Sequence, residues 1–114
     1  MTRSTSGQAA FELQGGERAR LTGALHFTTV SALLEEGEPA IAGGRAAVID
    51  LSSVLDSDSS GLALLIEFLS IARQSKRALR YENIPEQIQE LARLSEVESL
   101  LKEGTHCPPV SDPR

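Results

Sequence analysis

Cysteine, tryptophan and long apolar runs are what this chain has least of. Its 114 residues include one cysteine and no tryptophan, and aromatics make up 4%. The single thiol, Cys107, excludes an internal disulfide. It sits among prolines near the end of the chain, with no neighbours from which to build a metal site. With 40% hydrophobic residues and so few aromatics, the core has to be packed from Leu, Ile, Val and Ala. No apolar run approaches the ~20 residues needed to cross a bilayer. Residues 1–10 lack the apolar block of a secretory signal. A cytoplasmic location without direct membrane insertion is therefore expected. Cations are also short: 11 Lys and Arg stand against 16 Asp and Glu, a net charge of −5. That balance argues against a nucleic-acid binder, which carries a basic face, and favours a basic partner surface.

Motifs of catalysis are missing too. There is no Gly-x-Ser-x-Gly elbow and no Walker-type phosphate loop. His26 and His106 are far apart, and neither has a Cys or Ser at a defensible triad spacing. The carboxylates Asp50, Asp56 and Asp58 loosely suggest a cation loop, yet the glycine turn and terminal Glu of an EF-hand are absent. A solvated acidic stretch is the simpler reading. No catalysis, no metal and no cofactor are expected.

What is present is an alternation of strands and helices. Residues 10–14 alternate apolar and polar and read as a strand, residues 15–17 as a turn, and residues 19–23 as a second strand of a hairpin. Thr28 and Thr29 precede Val30, Leu33 and Leu34 at helical spacing, which predicts a Thr-capped helix ending near Gly37. Residues 39–45 read as a loop. Residues 46–51 form an apolar run suited to a central strand. The longest helix is expected over residues 61–75, with Leu62, Leu65, Ile66, Leu69 and Ala72 on one stripe and Leu64, Phe68 and Ile71 on a second. A short strand at residues 78–82, a helix opened by Pro85 and an apolar patch of Val97, Leu100 and Leu101 follow. Residues 1–8 and the Pro-rich tail from 104 to 114 are expected to be flexible. The order β-β-α-β-α-β-α implies crossover connections and a partly parallel α/β sheet.

The most informative segment joins residue 48 to residue 65: a buried strand, a short loop as spacer, rich in hydroxyls and acids, then the first turn of the long helix. Free N–H groups at a helix start carry partial positive charge. Asp58 or Ser59 can cap them, Ser59 or Ser60 can contact a partner, and either hydroxyl can receive a phosphate. If part of the second stripe stays exposed, Asp58, Ser59, Ser60 and Gly61 join Leu64, Glu67 and Phe68 in one docking surface. Ala63, Ser70 and Gln74 would then complete its polar rim.

Asp50-Leu51-Ser52, the spacer, and Asp58-Ser59-Ser60-Gly61-Leu62 together resemble the STAS domain over roughly residues 10–102. Three segments are similar to the STAS subunit of the Mla phospholipid-transport branch: residues 61–65, 25–30 and 91–101. The resemblance implies a mixed sheet of about four to five strands flanked by about four helices over residues 9–103. It implies a non-catalytic cytoplasmic subunit that binds and regulates the ATPase of an ABC transporter maintaining outer-membrane lipid asymmetry. Contact with the membrane permease would be indirect, and the subunit would lie at the inner membrane only through its partner. In that branch the hydroxyl at Ser59 is tied to docking. In the anti-sigma-factor antagonists of the same family, the serine at Ser60 is phosphorylated, which leaves a phospho-switched antagonist as the alternative.

Overall fold

The computed structural model describes residues 9–103. The two expected tails, with His106 and Cys107, lie outside the described residues. Strands β1 (Ala10–Gly15) and β2 (Arg18–Leu25) form the expected hairpin. Helix α1 (Val30–Ala42), strand β3 (Val48–Ser57), helix α2 (Ser59–Gln74) and strand β4 (Arg80–Glu82) follow, then helices α3 (Glu86–Leu94) and α4 (Glu98–Glu103). The sheet order is β1-β2-β3-β4. β1 runs antiparallel to β2, while β2, β3 and β4 are mutually parallel. The α/β class and mixed sheet are as expected, with four strands and four helices.

Because the two parallel crossovers step the same way across the sheet, their shared handedness puts α1 and α2 on one face. α2 packs between α1 and α3. Alternation along β2 sends Ala19, Leu21 and Leu25 into that layer and leaves Arg18, Arg20, Thr22 and Ala24 on the other side. Ile49, Leu51, Leu65, Phe68, Leu69 and Ile88 complete the core. Tyr81 adds a polar anchor, its buried hydroxyl donating to the Leu65 carbonyl at 2.6 Å, and burial pushes that phenol well above its ordinary pKa.

Three local expectations are corrected. First, α1 does not stop at Gly37, and most of the expected 39–45 loop is helix. A Cβ on Gly37 would sit 2.6 Å from the Phe68 ring, so this glycine permits close helix packing. Pro39 is accommodated inside the helix, and the chain leaves α1 through Gly43 and Gly44, the latter at φ +81°. Second, the spacer after Leu51 is strand as far as Ser57. Two bulges bend it. Leu21 faces both Leu51 and Ser52, and Leu55 is the extra residue between the pairs Gly23–Val54 and Ala24–Asp56. Third, Thr29 stands at the N-cap of α1 without capping it. Its hydroxyl donates to the Ala24 carbonyl at 2.8 Å and accepts from the His26 N–H at 3.0 Å, pinning the turn that leads out of β2.

Candidate docking corner

The C-terminal ends of β2 and β3 come together with the first turn of α2 and with α3. This is where open α/β sheets ordinarily place their binding sites. The Asp58 N–H donates to the Leu25 carbonyl at 3.1 Å, fastening the two strand ends. The buried Ser57 donates its N–H to Gln87 Oε1 at 3.2 Å and its hydroxyl to the Asp58 carbonyl at 3.0 Å. Gly61 then lets α2 begin close against the sheet. A Cβ there would collide with the Ser57 hydroxyl and lie 2.9 Å from Leu25 Cβ.

Capping is settled in favour of Asp58, whose carboxylate accepts from the Ser60 N–H at 2.7 Å. Among the described residues, neither the Ser59 nor the Ser60 hydroxyl has a hydrogen-bond partner. An anionic group thus already occupies the positive end of α2, and two hydroxyls beside it remain unspent.

The two serines face different ways. Ser60 lines a shallow cleft of about 290 Å³ between α1 and α2, with Val30, Ser31, Leu34, Ala63, Leu64 and Glu67. Ser59 lines a second cleft, of about 430 Å³, with Ser57, Asp58, Gln87, Glu90, Leu91 and Leu94. The expected single surface is therefore split by the start of α2. Asp58 and Ser59 belong to one side, and Ser60, Leu64 and Glu67 to the other. Gly61 is buried and acts by packing. Leu64, at 4% exposure, reaches the surface only at the floor of the α1–α2 cleft. Phe68 is corrected outright: at 0% exposure it packs edge-on against Phe11, with ring centroids 6.0 Å apart, and presents nothing to a partner. The second apolar stripe is core because α1 covers it.

A pairing that sequence reasoning missed completes the corner. His26 and Asp56, remote in sequence, meet with Nε2 3.0 Å from Oδ2. The Asp56 carboxyl is held below the usual carboxylate range, first by the Gln87 side chain, then by His26 and by the Ser57 N–H. One carboxylate thus ties the β2–α1 turn, the end of β3 and α3 together. The elements it ties also carry Phe27, Leu55 and Leu94, exposed at 79%, 77% and 81%, three of the four exposed large apolar side chains among the described residues. The only sequence signal for them was an apolar residue at a position that no stripe claims. The third acid, Asp50, lies elsewhere, on the outer sheet face, accepting from Asn83 Nδ2 at 2.9 Å and from the Ser52 N–H at 3.0 Å. The three carboxylates do not converge, and the described residues hold no cluster of three or more potential metal ligands. No described helix is long and apolar enough to cross a membrane.

This four-stranded mixed sheet, with its helices on one face and a serine-bearing corner at the start of α2, is the architecture of a STAS domain. The chain belongs to the STAS_2 family, described as "Mlab, STAS domain", whose family model matches residues 10–102. Two solved structures share the fold. The Bacillus cell-fate determinant SpoIIAA in its phosphorylated form is 17% identical, with a TM-score of 0.61 over 80% of this chain and 86% of that one. The anti-sigma-factor antagonist SpoIIAA in its unphosphorylated form is also 17% identical, with a TM-score of 0.59 over 75% and 82%. No curated protein matches the chain.

Proposed function

We propose that this chain is a non-catalytic STAS subunit that docks, through the first turn of α2 and its flanking clefts, onto the ATPase of an ABC phospholipid transporter. It would be cytoplasmic and peripheral to the inner membrane through that partner, with the permease reached only indirectly. The observation that carries the reading is the pair of unbonded hydroxyls at an already capped helix start, on a corner whose elements also carry solvent-exposed Phe27, Leu55 and Leu94. A corner built only to start a helix needs the cap and nothing more. The family description, "Mlab, STAS domain", supports the transporter branch. A subunit of this kind controls an ATPase by binding one of its conformations more tightly than another, shifting the population by that difference in affinity.

The test is coexpression with the ATPase of such a transporter from the same genome, followed by affinity purification. The chain is expected to copurify at a fixed ratio. Ser59→Tyr, placed at an exposed position, should reduce recovery about tenfold, the effect of roughly 1.4 kcal/mol of lost contact, with an unchanged melting midpoint. Full recovery of the folded variant removes the docking model.

A second reading is the phospho-switched anti-sigma-factor antagonist, favoured by the free Ser60 hydroxyl beside the α2 N-terminus. A phosphate there adds nearly two negative charges. It would compete with Asp58 for the same N–H groups and repel its carboxylate. Incubation with ATP and cell extract, read by intact mass, separates the two: stoichiometric phosphate on Ser60 favours the switch, and an unmodified mass favours the transporter subunit.

A further inference from the structure

The cleft between the start of α2 and α3 has a chemistry that narrows what it holds. Its apolar wall is Leu91, half-buried, and Leu94, 81% exposed. Its charged lining is Asp58 and Glu90, both acidic, and Gln87 adds a neutral amide. Among the described residues no cation lines it, and Arg93, exposed on α3, stands outside. Isolated exposed leucines are ordinary on protein surfaces. A leucine pair flanked by carboxylates of one sign, within a corner that also exposes Phe27 and Leu55, is a patch with a preferred complement.

We propose that this cleft receives a basic amphipathic segment of the partner protein, seating an aliphatic side chain against Leu91 and Leu94 and a Lys or Arg against Asp58 and Glu90. The inference rests on the docking reading above and adds the chemistry of the docked segment. A second copy of this cleft would bring like charges together. An anionic membrane surface would be repelled for the same reason. The α1–α2 cleft differs: its single charge, Glu67, lies at the rim of an otherwise apolar and hydroxyl lining.

The experiment has two arms on the full chain. In the first, a synthetic amphipathic Leu/Lys peptide and its Leu/Glu counterpart are titrated while backbone amide shifts are followed. The Leu/Lys peptide is expected to move the amides of residues 57–59 and 87–94, and the Leu/Glu peptide none of them. Leu94→Ser and Glu90→Lys, both at exposed positions, should each weaken binding about tenfold. Raising the salt should weaken it further. Equal binding of both peptides, no binding, or shifts centred on the outer sheet face would overturn the proposal. In the second arm, the same two variants are coexpressed with the transporter ATPase. Lost recovery supports the proposal. Full recovery alongside wild-type copurification overturns it and leaves the docking reading standing. If even the wild-type chain fails to copurify, the docking reading fails, and the peptide arm still decides the chemistry of the cleft.

Discussion

Two surfaces of this molecule face solvent and are built in opposite ways. The outer face of the sheet is crowded with charge, yet its charges answer one another. Glu82 takes both Arg18 and Arg80, Glu12 pairs with Arg20 at 3.2 Å, and Asp50 is held by Asn83 and Ser52. Hydrogen bonding to Glu82 raises the Arg18 pKa, and the same bond leads in holding the Glu82 carboxyl below its ordinary range. Among the described residues, the corner at the start of α2 carries fewer charges and leaves more unanswered: two free hydroxyls, an acidic cleft without a cation, and three exposed apolar side chains. Both surfaces are accessible. On the outer face one buried polar atom, Arg20 Nε, lacks a hydrogen-bond partner among the described residues, whereas the corner leaves large apolar side chains as well as hydroxyls open to solvent. A densely charged face is therefore a poor guide to a binding site when its pairs already close on themselves, since such surface pairs contribute little either way.

The largest effect is expected at Phe68, which would join the docking surface only if its stripe stayed exposed and which the fold places under that surface. Phe68→Ala should cost about 3–5 kcal/mol in chemical denaturation, the range for emptying a buried aromatic site. A variant of wild-type stability that fails to bind would move Phe68 back to the surface and undo the assignment. Asp58 sharpens the contrast by separating cap from charge. Asp58→Ala should lose about 1 kcal/mol of stability with the cap. Asp58→Asn keeps an acceptor of equal capping strength, so its midpoint should hold while recovery of the partner falls. The smallest effect belongs to the outer face. The carboxyls of Asp50 and Glu82 are lowered in the folded chain, Asp50 first by Asn83 and Glu82 first by Arg18. Their stabilisation is thus complete above the unfolded values of 3.8 and 4.5 and is lost as pH falls through the lower folded ones. Glu82→Gln should flatten the acid side of the stability profile in a urea series run from pH 7 to pH 2, without altering partner recovery.

Much of the fold was legible because periodicity and burial agree. Strand alternation in β2 and the stripes of α2 set both elements to within a few residues, and the crossover rule supplied the parallel sheet. Where the reading failed, one residue type was serving two possible ends. Gly37 looked like a terminator and is a packing contact for Phe68. Ser52, Ser53 and Asp56 looked like a loop because two bulges break the two-residue period of β3. Leu64 and Phe68 sit on a stripe that reads first as core, with a docking face as the alternative, and the position of α1 decides for core. At the corner, Asp58, Ser59 and Ser60 were legible as a group because helix starts announce themselves by residue type. His26 with Asp56, and the α3 wall of Leu91 and Leu94, were not. They are joined by the topology of the chain, and no spacing in the sequence encodes them.

The claim at the centre is that the partner grips the corner at the start of α2 and leaves the outer sheet face free. Photo-crosslinking tests it most directly, with a light-activated residue placed either at Ser59 or at Thr22 on the outer face, in cells expressing the transporter ATPase. A covalent adduct containing that ATPase is expected from position 59 and none from position 22. An adduct from position 22 with none from position 59 would contradict it.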